Sequence, residues 1–352
     1  MAIDALLLSA TMRWLTPLYG CTLSAALCLA APSAYAQADF YRGKQIQLIS
    51  GHPVGGDYDI GARFLAKHLG RHIPGQPAIV VQNMPAAASV AAANFIYNQA
   101  PRDGTVIGSF SRNFASQALM GQPNIEADPR RFNWLGGYSL PSRVCVNWHA
   151  SPIKRAEDLF TQELIVAGGG ATSSLSIVPT VLNHVLGTKF RVIEGYKGIT
   201  EAAIAIERGE VAGVCTSYAQ FNNYQHLIRD GKFRILVHLE QTPVPGMPPQ
   251  VPSIYTFAAT DEQRLFLHFV FSSVEFGRPY VFPPEVPSER VGLMRAALAE
   301  AAKDPQMLAE AEKAGVDMTY IAPARLEELV DGLYRTPPAL IETVKKLVPN
   351  LQ

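Results

Sequence analysis

The chain has 352 residues, 30 Lys and Arg against 30 Asp and Glu, 48% hydrophobic side chains and 17% charged ones. That apolar content supports packed cores and excludes disorder over most of the length, and the length suits about two domains of ~150 residues. Zero net charge gives no electrostatic reason to expect nucleic acid, whose non-specific binding needs a basic surface, but a small charged ligand feels only its own pocket.

Residues 1–36 read as a secretory signal peptide. Arg13 precedes an apolar stretch through Leu23, Ala25, Ala26, Leu27 and Leu29, and Ala34-Tyr35-Ala36 supplies an A-x-A cleavage site. Thr16, Pro17 and Gly20 interrupt the run near its start, leaving it short of the ~20 residues of a membrane span. A lipoprotein site at Leu18 to Cys21 is the rival, with Tyr19 fitting it poorly. Cleavage after Ala36 yields an exported protein with an unchanged charge balance and two cysteines, Cys145 and Cys215. These can pair, or stand as two buried thiols, since separation and count do not fix geometry.

The remaining chain alternates short apolar runs with helical segments, the grammar of α/β layers. Strands are expected at 46–49, 78–81 and 105–108, joined by a helix that Asp59 would cap and an alanine-rich helix at 89–98, so the chain opens β-α-β-α-β. A second unit follows with strands at 143–146, 164–167, 190–193, 211–216 and 234–239, and a helix after Thr200. The prolines at 243, 245, 248, 249 and 252 mark a connection. An apolar run at 265–271 and amphipathic helices at 288–302, 305–314 and 323–333 complete the chain.

Two loops sit between a strand end and a helix start, where open α/β sheets bind ligands. One is Pro53-Val54-Gly55-Gly56-Asp57-Tyr58-Asp59; the other runs from Gly168 through Gly170, Ala171, Thr172, Ser173 and Ser174. Glycine permits close backbone approach, and unpaired amides at a positive helix end favour an anion by roughly 0.3–2 kcal/mol. Ordinary βα turns would carry the same glycines. Tyr196 and Lys197, just after a strand, offer an aromatic wall and a cation. Asp57 would repel a bare carboxylate and suits a ligand hydroxyl, amine or protonated acid.

Competing chemistries lack their residues. Neither loop has the lysine of a P-loop or the Gly-x-Gly-x-x-Gly of a dinucleotide site. His68 and His72 have the spacing of a metal pair but lack a following Glu or a third ligand, and read as a solvated last helical turn. The hydroxyls at 172–174 lack a nucleophile elbow. No cofactor, metal or catalytic group is expected.

At these residues the sequence resembles the substrate-binding proteins of tripartite tricarboxylate transporters, the Bug or TctC-like family. The resemblance runs through Phe40 to Lys44, Pro53 to Asp59 with Arg63, Asn83-Met84-Pro85, Pro101 to Gly104, Gly170 to Ser174, Tyr196 to Gly198, Gly209 to Val211 and Val251 to Ser253. It implies an α/β, two-lobed periplasmic binding protein fold of type II with the ligand cleft between the lobes. Residues 37–141 plus 260–352 would form lobe 1 and 142–259 lobe 2. It further implies capture of a small organic carboxylate for membrane permease subunits, gripped by Pro53 to Asp59, Gly170 to Ser174 and Tyr196. Asp57 and Tyr58 depart from the family's Pro-Pro-Gly-Gly-Gly-Thr-Asp loop, changing charge and size there. An extracytoplasmic sensor that presents its solute to a signalling receptor is the alternative role, and an exported enzyme a third.

Overall fold

The computed structural model describes residues 40–139, 142–170, 173–244 and 246–348. The expected signal peptide, and Ala171 and Thr172 of the second loop, lie outside the described residues. Strand β1 (Gln45–Ser50), helix α1 (Asp57–Leu69), β2 (Ala78–Asn83), α2 (Val90–Asn98) and β3 (Val106–Ser109) form the expected opening, with β1 parallel to β2 on one side and to β3 on the other. After α3 (Phe114–Leu119) and β4 (Asn133–Tyr138) the chain crosses to a second sheet. That part comprises β5 (Arg143–Trp148), β6 (Leu164–Gly168), α4 (Ser174–Leu186), β7 (Phe190–Glu194), α5 (Ile199–Glu207), β8 (Gly213–Ser217), α6 (Gln225–Arg229) and β9 (Phe233–His238). It returns through α7 (Asp261–Phe276), β10 (Arg278–Phe282), α8 (Ser288–Ala301), α9 (Pro305–Ala314), β11 (Tyr320–Ile321), α10 (Pro323–Tyr334) and α11 (Pro338–Leu347).

The strand orders are β11-β4-β10-β3-β1-β2 and β7-β6-β8-β5-β9. Each sheet holds a parallel triplet with its earliest strand in the middle, flanked by an antiparallel strand, β10 or β5, that pairs the third strand with an outer one. Two α/β lobes result, as the resemblance implies. In β1 the alternation of exposed Gln45 and Gln47 with buried Ile46 and Leu48 turns one face onto Ala62, Leu65 and Leu69 of α1 and Leu298 and Ala301 of α8. Ile49 and Val106 face the opposite core with Ala92, Ala93 and Ile96 of α2. The small alanines bring α2 close enough that a Cβ on Gly108 would lie 2.2 Å from Ile96 Cδ1.

In the second lobe Val144, Val146 and Val214 pack on Ala202, Ala203 and Ile206 of α5. Cys145 and Cys215 share the other core with Val178, Val181 and Leu182 of α4, a core that continues to Phe266, Phe269 and Phe271 of α7. The two cysteines are register partners on β5 and β8 and form a disulfide, which closes the question of their pairing. Among the described residues no helix is long and apolar enough to cross a membrane.

Several local expectations are corrected. Asp59 does not cap α1: the helix begins at Asp57 after Gly56, and the Asp59 carboxylate turns inward. Thr200 does not cap α5, which starts at Ile199 after an extended Gly198. His68 and His72 are not a solvated turn. His68 is 1% exposed and contacts Glu310, and His72 meets Asp304, because α9 docks its acids against the end of α1.

Candidate functional site

Each expected loop rises from the carboxyl edge of its own parallel triplet. In the first, Pro53, Val54, Gly55 and Asp57 are exposed, and Gly55 takes a φ of 84° that favours glycine. Gly56 ends the turn, its carbonyl accepting from Ile60 N, the first bond of α1. Tyr58 stacks on His52 with ring centroids 3.7 Å apart and planes 8° from parallel. Its hydroxyl donates to the Gly277 carbonyl (3.2 Å) and accepts from the Arg112 amide (3.1 Å), tying the loop to β3 and β10. Burial raises the Tyr58 phenol above its ordinary range, against the opposing fields of Arg112 and Arg278. The neighbouring His52 imidazole is lowered by burial to about 4 and is neutral at physiological pH.

Asp59 organises the turn. It is 1% exposed and accepts from Gly55 N (2.9 Å), Arg63 Nε (3.0 Å) and Asn83 Nδ2 (2.7 Å); Asn83 also donates to the His52 carbonyl. Burial alone would raise its pKa, but hydrogen bonds from Arg63, Gly55 and Asn83 outweigh that and hold it below the usual carboxylate range. One floor of the site is set by Gly61, where a Cβ would lie 2.8 Å from Cδ of buried Arg278, whose Nη2 donates to the Ser139 and Asp317 carbonyls. Ser50 and Ser109, register partners at the carboxyl ends of β1 and β3, are buried with hydroxyls that have no hydrogen-bond partner among the described residues.

The second loop repeats this device. Gly170 has a φ of 97°, and its amide donates to Glu194 Oε2 (2.6 Å), which also accepts from Ser176 Oγ (2.9 Å). Gly169 N donates to Ser176 Oγ (3.0 Å). Ser173 caps α4 by accepting from Leu175 N, and Ser174 is its first residue; both are half-buried. Tyr196 is half-buried against the second-lobe core, and its amide donates to the Gly168 carbonyl. A Cβ on Gly169 would approach the Tyr196 carbonyl to 3.0 Å, so glycine permits the turn to close onto that strand exit.

The described residues of the two loops therefore gather separately, each on its own lobe, with no hydrogen bond between them. In both, an amide expected to meet a ligand already donates to a carboxylate of the protein, Asp59 or Glu194. Arg63 is legible through the resemblance, whereas no local sequence pattern marks His52, Arg112, Arg143, Ser176 or Glu194 as neighbours of these loops. The signal available for Glu194 was its position as the last residue of β7, in register with Gly168 where the loop begins. A separate cavity of about 290 Å³ lies at the crossovers, lined by Ser139, Ser142, Glu240, Glu275, Tyr320 and Arg325 among others, and includes none of the expected loop residues.

Two facing α/β lobes, each with a glycine turn and a helix start at its carboxyl edge, define the fold of the periplasmic binding proteins. Residues 62–345 match the TctC family, described as the tripartite tricarboxylate transporter family receptor, and the chain belongs to that family. It is 31% identical over 223 residues to the UPF0065 protein in gbd 5'region of Cupriavidus necator, a match covering 60% of this chain and 64%, under two thirds, of that relative. A crystal structure of a TctC solute binding protein from Polaromonas, without ligand, has a TM-score of 0.67 at 18% identity and covers 86% of this chain and 99% of that one. The structure of periplasmic binding protein BugD has a TM-score of 0.48 at 18% identity, over 87% and 98% of the respective chains.

Proposed function

We propose that the protein is a periplasmic solute-binding protein that captures a small organic carboxylate and delivers it, chemically unchanged, to membrane permease subunits of a tripartite tricarboxylate-type transporter. Family membership supports the role. The observation that carries the reading is the pair of turn-to-helix starts, 53–59 and Gly170 with Ser173 and Ser174, at the carboxyl edges of two sheets linked by the crossovers after β4 and β9, with α7 packed on the core of the second. Lobes 37–141 plus 260–352 and 142–259 would close about those crossovers, bringing Gly55 to Tyr58 against Ser173, Ser174 and Tyr196 with the ligand between them. A micromolar dissociation constant requires about 8 kcal/mol, and burial of both loops on closure is the source we assign to it. Export follows cleavage after Ala36, which mass spectrometry of the secreted protein checks.

A thermal-shift screen of mono-, di- and tricarboxylates against purified protein tests the reading. At least one small carboxylate should raise the melting temperature in a saturable way. A shift produced only by neutral or cationic solutes would contradict it.

A further inference from the structure

The carboxylate reading leaves the ligand's counter-charge unassigned, because the Gly55 and Gly170 amides already donate to Asp59 and Glu194. Two arginines stand at the facing edges instead. Arg112 follows β3 past Phe110 and Ser111, at the edge from which the 53–59 turn rises, and its backbone is fixed by the Tyr58 hydroxyl. Arg143 opens β5 opposite Ser217, at the end of β8, so it occupies the edge from which the 168–174 loop leaves β6. The first residue follows a strand of one sheet and the second opens a strand of the other.

Most buried or half-buried arginines here have a carboxylate or carbonyl for the guanidinium: Arg295 pairs with Glu327, Arg325 with Glu275, and Arg278 with two carbonyls. The half-buried Arg112 and Arg143 guanidinium groups have no carboxylate partner among the described residues. Glu240 is near Arg143, but its Oε1 accepts from the Arg143 backbone amide (3.0 Å) and its Oε2 lies 3.3 Å from His238 Nδ1. The Arg143 guanidinium is lowered to about 10, chiefly by burial and then by the charge of Arg112, with Glu240 opposing. The two cations are thus close enough to feel each other, and like charges in a poorly solvated site are costly until an anion joins them. The other charged groups nearby are Asp57, exposed beside Tyr58, and buried Arg278 behind it.

We propose that Arg112 from one lobe and Arg143 from the other are the ligand's charge contacts, each pairing with one carboxylate of a dicarboxylate dianion that bridges the cleft. The inference rests on the carboxylate reading above and names the ligand's class within it. A planar guanidinium presents two parallel donors to a carboxylate, which ties the separation of the ligand's charges to lobe closure. The two loops then shape the walls and exclude water.

The experiment is calorimetric titration of the full mature protein with linear four- to six-carbon dicarboxylates and their monocarboxylate analogues, repeated on Arg112→Gln, Arg143→Gln and the Arg→Lys variants. The best dicarboxylate should bind at least tenfold more tightly than its monocarboxylate analogue, a difference of about 1.4 kcal/mol. Each Gln variant should weaken it at least tenfold and erase the preference, with partial recovery in the Lys variants. Melting temperatures without ligand should hold or rise, because a like-charge repulsion has been relieved. Unchanged dicarboxylate affinity in both Gln variants would overturn the arginine assignment while leaving the carboxylate reading intact. An affinity loss that tracks a fall in the unliganded melting temperature would overturn it too, by marking the role as structural. Wild-type protein that binds only neutral or cationic solutes would overturn both.

Discussion

Replacing Asp59 by Asn tests the account of the first loop at its anchor. The carboxylate accepts from three donors, Gly55 N, Arg63 Nε and Asn83 Nδ2, and an amide can present an oxygen to one side only. Its NH2 group would face at least one donor. Gly55 is exposed and the Arg63 side chain is 48% exposed, so both recover water, and Asn83 keeps its bond to the His52 carbonyl. Against bonds to a charged group worth about 1.5–3 kcal/mol each stands the relief of burying a neutral amide rather than an ion. We expect a net loss of about 2 kcal/mol, which for a chain of this size, at ~2.1 cal/mol/K of unfolding entropy per residue, is roughly 3 °C in melting temperature.

The pH dependence carries a sign. The folded pKa of Asp59 lies below its unfolded value, so the carboxylate's contribution is present above the unfolded value near 3.9 and is lost as pH falls through the folded one. The gap between wild type and Asp59→Asn should be constant from pH 7 to 5 and shrink below about pH 4. Scanning calorimetry across that range, with ligand titration at pH 7, reads both stability and affinity. A melting temperature unchanged within about 1 °C at pH 7, or a gap that widens in acid, would rule out this anchoring role for Asp59.

Gly61→Ala places a Cβ 2.8 Å from Cδ of an Arg278 that is held by two carbonyls and cannot swing away; overpacking of this kind costs about 1–3 kcal/mol, read as an earlier urea midpoint. Cleaving the Cys145–Cys215 bond, whose partners are 70 residues apart, should cost about 4 kcal/mol by the chain-entropy estimate, and a Cys145→Ser, Cys215→Ser double variant that melts with wild type would contradict that role. His52, whose imidazole is lowered to about 4 while an unfolded histidine titrates near 6.5, makes stability fall as pH drops from about 6.5 toward 4, since only the unfolded chain takes the proton. His68 and His268, also lowered by burial, add to that fall, so His52→Gln should reduce the acid slope without abolishing it; an unchanged slope in the melting temperatures would rule the effect out.

Periodicity made the parallel triplets legible, because strands such as Ala78–Asn83 and Leu164–Gly168 are short β-branched runs closed by turn residues. The antiparallel strands that complete the first sheet were not. β4 carries Gly136 and Gly137, and β10 carries Pro279, a residue that argues against a central strand; here a register shift between Tyr280 and Val281 accommodates it. Helix α7 begins four residues before its apolar run because Thr260 and Gln263 form a capping box that hydropathy does not reveal. At the site, sequence located both loops but not what fills them. Asp59 looked like a cap because caps are defined locally, whereas its partner Asn83 comes from β2, and Glu194 reaches the second loop only through the pairing of β6 with β7. Long-range partners of this kind carry no local signature.

A single bound ligand, carried by its carboxylate chemistry, should contact both lobes at once. Hydrogen exchange of the backbone amides, measured with and without a saturating carboxylate, tests it directly. New protection is expected in 53–59 and in 173–176 together, at the same ligand concentration. Protection confined to one of these segments, or to neither while the ligand still binds, would contradict it.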